Sequence, residues 1–110
     1  FKVNGISLDD YQMQLLLTNN NSIVIAGAGA GKTLTILGKT YFLIETLNIS
    51  PKNILLISFT NASVNDIKKK LKYDIDVFTF HKLAIDIIHN HNKTYKLCSN
   101  YILRYFIEEL

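Results

Sequence analysis

Apolar positions along this chain come in two groupings, short unbroken runs and stripes at helical spacing, and the two kinds alternate. Residues 22–26, 54–58 and 75–80 are the runs. They predict three strands of a parallel sheet, the first two buried on both faces. The stripes fall before, between and after them. Leu8, Tyr11, Leu15 and Leu16 predict a helix capped at Ser7 and running to about Thr18, stopped by Asn19, Asn20 and Asn21. Leu34, Leu37, Tyr41 and Ile44 predict a helix over 32–47, with 48–51 as its stop. Val64, Ile67 and Leu71 mark a third helix over 63–71, and Ala84, Ile85, Ile87 and Ile88 a fourth over 81–89. Residues 90–100 are polar and read as a loop. A last helix is expected from about Asn100, with Tyr101, Ile102, Tyr105 and Phe106 on one face. Strand, crossover helix and strand in this order make a right-handed parallel unit, whose ligands gather at the carboxyl ends of the strands. Phe59, Thr60 and Asn61 are thus expected on the same rim as the turn that follows residue 26.

That turn carries the chemistry. Ala26, Gly27, Ala28, Gly29, Ala30, Gly31, Lys32 and Thr33 have the spacing of a phosphate-binding loop, G-x-x-x-x-G-K-[ST], with Ala26 where the first glycine usually stands. Small residues let the backbone wrap a phosphate and aim its N–H groups inward. The helix opening at Gly31 presents its positive dipole end to the anion. Lys32 adds a point charge for the β- and γ-phosphates, and Thr33 offers a hydroxyl to Mg²⁺, which prefers hard oxygen ligands. A glycine-rich turn that binds nothing is the alternative, and the placement between an apolar run and an amphipathic helix speaks against it.

Other polar residues carry weaker signals. Gln12 has a donor and an acceptor that suit an adenine edge, although its position alone reads as an exposed helix-surface glutamine. Lys68, Lys69, Lys70 and Lys72 could attract a phosphodiester backbone, or simply solvate a helix face and its C-terminal end. His81 by itself reads as a packing or capping residue. The spacing of His89, His91 and Cys98 matches no tetrahedral zinc pattern.

Composition narrows the class further. Of 110 residues, 48% are hydrophobic and 19% charged, which describes an ordinary globular chain. No apolar run approaches the length of a membrane span, and no secretory signal is visible at the start. The single cysteine excludes an internal disulfide framework and fits a reducing, cytoplasmic setting. A net charge of +3 permits a polyanionic partner without demanding one. The chain begins at Phe1 and ends inside an apolar stretch, so a piece of a longer protein is expected.

Four segments, Leu8-Asp9-Asp10-Tyr11-Gln12, the loop over 26–33, Ile54-Leu55-Leu56-Ile57-Ser58-Phe59-Thr60-Asn61 and Thr79-Phe80-His81, together resemble the N-terminal part of UvrD/Rep-like superfamily 1 DNA helicases. They occur in the family's order, and Ala26 is the residue these helicases tend to carry. The resemblance implies a RecA-like P-loop NTPase domain, a three-layer α/β fold with a partial parallel sheet of about three strands. Residues 7–90 would form its core and 91–110 a loop and helix leading into the rest of the helicase chain. Gln12 would contact adenine, the loop from Ala26 to Thr33 would hold ATP, and Thr33 would ligate Mg²⁺. Phe59, Thr60 and Asn61 look like the motif that grips single-stranded DNA, with Thr79 and His81 a further contact. DNA against RNA is left open.

Two departures stand out against the family. Leu34 replaces an arginine common near the nucleotide, and Ala62 a lysine common after the Thr-Asn pair. The family's Mg²⁺-binding and water-activating Asp-Glu pair is expected beyond this chain, since Phe106-Ile107-Glu108-Glu109 keeps helical spacing. An ATP-dependent helicase or translocase is therefore expected of the parent protein, with little nucleotide binding and essentially no turnover by this part alone. A P-loop kinase of a nucleotide or small molecule, and a non-catalytic nucleic-acid-binding module, are the alternatives.

Overall fold

Before the first predicted helix, the chain turns back on itself. In the computed structural model, which describes residues 2–27 and 31–93, β1 (Lys2–Val3) pairs antiparallel with β2 (Ile6–Ser7) across Asn4 and Gly5. Both turn residues have positive φ, 49° and 82°, as a two-residue hairpin turn requires, and Asn-Gly is the pair best suited to it. The hairpin sinks Val3 completely into the core.

Helix α1 spans Asp10–Leu17 and is capped by Asp9, not by Ser7. Ser7 is held in the β2 ladder opposite Lys2, so the first residue free to cap is Asp9, with extended backbone at φ −77° and ψ 175°. Asp9 Oδ1 accepts from the Gln12 N–H at 2.8 Å, and Gln12 Oε1 accepts from the Asp9 N–H at 2.8 Å, a reciprocal capping box.

Helix α2 (Lys32–Glu45) lies against α1 and the hairpin. Gly38 permits that approach: a β-carbon there would lie 3.0 Å from Leu8 Cδ1 and 3.1 Å from Val3 Cγ2. Lys39 of α2 reaches across to donate to the carbonyls of Leu15, Leu16 and Thr18 at the end of α1, the first of which also accepts from the Thr18 N–H. Partial burial lowers the Lys39 ammonium from its ordinary pKa, while these oxygens favour its charged form.

A short 3₁₀ turn (Pro51–Asn53) leads into β3 (Leu55–Ser58), followed by α3 (Asn61–Lys70), β4 (Asp76–Thr79) and α4 (Phe80–His91). The two strands are parallel, with Leu56 opposite Val77 and Ser58 opposite Thr79. Helices α3 and α4 start earlier than their apolar stripes predict. Thr60 and Thr79, each with extended backbone, turn their hydroxyls to accept from the N–H of Ser63 and Lys82, both at 3.1 Å. Phe80 therefore opens a helix and does not close a strand.

Val3, Leu37, Tyr41, Val64, Ile67 and Val77 form the core. Tyr41 satisfies its buried phenol by donating to the Lys70 carbonyl at 3.0 Å and accepting from the Lys72 N–H at 3.3 Å. Beside it, Lys72 Nζ lies 2.8 Å from Glu45 Oε1, and the Tyr73 hydroxyl donates to the same oxygen at 2.6 Å.

The sheet differs from the three-strand expectation. Among the described residues the parallel sheet has two strands, and residues 22–26 form no strand. A strand needs a hydrogen-bonded neighbour, and β3 and β4 pair with each other; β3, expected to be buried on both faces, leaves Leu55 and Ile57 exposed, since no described element covers that face. The 22–26 run finds no ladder, so Ile23 and Ile25 stay 93% and 95% exposed. The architecture is α/β, with four helices and two small two-stranded sheets among the described residues. Residues 90 and 91, expected to begin a loop, continue α4 to His91; the rest of that loop beyond residue 93 and the last helix, with Cys98 and the Glu108-Glu109 pair, lie outside the described residues, as do Ala28, Gly29 and Ala30. No described helix is long and apolar enough to cross a membrane.

Candidate nucleotide site and nucleic-acid interface

Gly31 sets the entry to α2 with φ 76° and ψ 33°, a left-handed conformation that favours glycine. Its carbonyl accepts from the Thr35 N–H at 3.0 Å and the Thr35 hydroxyl at 2.8 Å. Thr35 Oγ1 in turn accepts from Gln12 Nε2 at 3.0 Å. One chain of bonds therefore runs from the Asp9 cap through Gln12 and Thr35 to Gly31, and it holds the Gln12 amide in one orientation. Nothing in the residue spacing announced Thr35. It reads as an ordinary helical threonine until α1 and α2 are packed together.

Gln12, Ala26 and Lys32 line one cleft of about 450 Å³, together with Tyr11, Val24 and Ile36. The Lys32 side chain is exposed and forms no ion pair among the described residues. No side chain caps the start of α2, whereas α1, α3 and α4 are capped by Asp9, Thr60 and Thr79. Thr33 does not line this cleft; with Gly31, Lys32 and Leu34 it borders a second groove beside the hairpin. Gly27 is exposed at the end of the 22–26 run.

A separate cleft of about 480 Å³ opens at the carboxyl ends of β3 and β4, lined by Phe59, Thr60, Asn61, Thr79 and His81, with Lys82 and Ile85. All five residues expected to contact nucleic acid come together here. Thr60 and Thr79 double as helix caps, each hydroxyl keeping its own hydrogen for another acceptor. Phe80, beside Phe59, was not among the expected residues, although the repeated motif of a strand followed by phenylalanine was there to be seen. Among the described residues, 22–26 stand outside the sheet, so the strand expected to bring the loop after residue 26 to this rim is not formed.

The lysine cluster is smaller than its sequence suggests. Lys70 pairs with Asp66 at 3.1 Å and Lys72 with Glu45 at 2.8 Å. The cluster also sits in the last turn of α3, at the end away from the Thr60 cap.

These features define a class first: an α/β protein in which a lysine preceded by a glycine-rich stretch opens a helix that no side chain caps. The profile of the UvrD/REP helicase N-terminal domain matches residues 8–106, and the chain belongs to this family. It is similar to the ATP-dependent DNA helicase Rep of Buchnera aphidicola subsp. Schizaphis graminum, 35% identical over 95 residues that cover 79% of this chain and 14% of that protein. It is also similar to the ATP-dependent DNA helicase PcrA of Leuconostoc citreum, 31% identical over 94 residues that cover 78% of this chain and 13% of that one. The chain thus spans about one-seventh of the length of such relatives.

Proposed function

We propose that this chain is the nucleotide-binding part of an ATP-dependent DNA helicase or translocase, with a P-loop NTPase fold of three layers and a cytoplasmic setting. ATP is held by the loop from Ala26 to Thr33, and single-stranded DNA by Phe59, Thr60, Asn61, Thr79 and His81. The observation that carries the reading is Lys32, unpaired among the described residues, at the start of α2, which no side chain caps, lining the cleft that also holds Gln12. An anion there would occupy the capping role that a side chain fills on the other three helices.

The donor set fits magnesium. Among the described residues no group of three histidine, cysteine or acidic side chains stands ready to cage a metal. Mg²⁺ commonly takes one or two protein oxygens with phosphates and water, and the Thr33 hydroxyl supplies one such oxygen. When bound, the ion would neutralise charge on the β- and γ-phosphates. Lys32 binds the same phosphates as a point charge. Gln12, held by Asp9 and Thr35, keeps one N–H and one lone pair for a base edge.

The relatives' names, ATP-dependent DNA helicase, support this reading of the parent activity. The chain by itself is expected to bind nucleotide weakly and to hydrolyse essentially none. Titration of a fluorescent ATP analogue with Mg²⁺ into the purified chain tests the site. Binding lost in Lys32→Ala supports it, and equal binding by both proteins would falsify it. Robust hydrolysis by the chain, abolished in Lys32→Ala, would show that a catalytic carboxylate lies within it.

A further inference from the structure

Strands β3 and β4 end in register, Ser58 opposite Thr79, and the next residue on each is a phenylalanine. Neighbouring strands run about 4.8 Å apart, so this register delivers Phe59 and Phe80 side by side. Their ring centroids are 5.1 Å apart and the planes are tilted by 39°. Neither ring is part of the core: Phe59 is 86% exposed and Phe80 52%. Two adjacent exposed rings forgo the burial that rings of this size normally gain, which marks them as a contact surface.

The charges at this rim decide what kind of contact it is. The Lys82 ammonium is bound by both carboxylate oxygens of Asp86 at 2.7 Å and lies over the Phe78 ring. The Lys82–Asp86 pair is partly exposed, so it lowers the net positive charge at this rim, and the rings add an apolar, stacking contribution beside the polar residues of the cleft.

We infer that Phe80 is a second base-stacking residue, forming with Phe59 a two-facet platform for successive bases of a single strand. The inference rests on the nucleic-acid reading above, which assigns Phe59 but not Phe80. The tilt of 39° gives the two exposed rings distinct faces, and single-strand binders stack successive bases on such aromatic faces.

The test compares binding of a short oligothymidylate with an abasic oligomer of the same length. Phe80→Leu, which keeps an apolar side chain but removes the ring, is expected to weaken oligothymidylate binding at least about fivefold and to leave the abasic oligomer unchanged. Phe80→Tyr retains the ring and is expected to bind like the unaltered chain. Equal weakening for both oligomers, or for neither, overturns the inference. If the unaltered chain binds neither oligomer, the nucleic-acid reading itself fails and takes the inference with it. Independently of any variant, 5-iodouracil placed at successive positions should photo-crosslink to both Phe59 and Phe80. Adducts at Phe59 alone would assign Phe80 a merely structural role.

Discussion

The amide nitrogen of Gln12 lies against Gly31: a β-carbon there would come within 2.9 Å of Gln12 Nε2, and the glutamine side chain would have to swing aside. The glycine that ends the phosphate-type loop therefore serves two needs. It takes up φ 76°, and it lets the glutamine of α1 reach Thr35 on α2.

That relationship predicts a coupling. Gly31→Ala should destabilise the chain by about 1–2 kcal/mol from backbone strain alone, and further through displacement of Gln12. In a Gln12→Ala background only the strain remains, so the two substitutions together should cost less than their sum. Urea unfolding of the single and double variants measures the difference, and strict additivity would show that the two residues do not meet.

Lys39 makes a prediction about α1. Lys39→Met keeps the aliphatic stem but leaves the carbonyls of Leu15, Leu16 and Thr18 without their charged donor. A loss of about 1–2 kcal/mol is expected, with hydrogen exchange accelerated at the end of α1. Unchanged protection of those amides would mean that water replaces the lysine.

The Glu45 cluster gives a pH dependence. Hydrogen bonds from Lys72 and Tyr73 hold the Glu45 carboxyl below its ordinary value of 4.5. A depressed folded-state value stabilises the protein above pH 4.5 and is lost as pH falls through the lowered value. The same contact raises Lys72 and Tyr73, so their contribution is complete below their ordinary values and fades as pH rises through the raised ones. Melting curves should therefore show the unaltered chain losing stability in acid faster than Glu45→Gln, with the gap closing once Glu45 is protonated. The groups are exposed, so the effect should be small and should shrink with added salt.

The lysine run gives a length dependence. The ten residues of α3 rise about 1.5 Å each, and the lysines sit in its last turn, at the end away from the Thr60 cap. Lys68→Glu with Lys69→Glu should leave binding of a very short single strand at the Phe59 cleft unchanged and weaken only a longer one, with a shallower salt dependence. Equal loss for both lengths would place the lysines in the main contact.

Much of the local structure was legible in the residues. The helical stripe with Leu37 and Tyr41 gives α2 within two residues, and the apolar run before Ser58 gives β3. The strand-end residues Phe59, Thr60, Asn61, Thr79 and His81 gather at one cleft because a parallel pair must present both carboxyl ends together. Asn4-Gly5 held a hairpin signal that was passed over in favour of the helix that follows it, and with it went the true cap at Asp9.

What periodicity specifies is which residues want water removed from them, and over which turn or pleat. It specified the four described helices and the strands β3 and β4, since each depends on neighbours along the chain. It did not fix which partner completes each of them. The 22–26 run has a strand's composition and no ladder to join, and Thr35, Lys39 and Phe80 acquire their roles only from side chains brought in by another element. Hydrogen bonds and ring contacts across elements depend on distances that no single stretch of sequence contains, and only the tertiary structure supplied them.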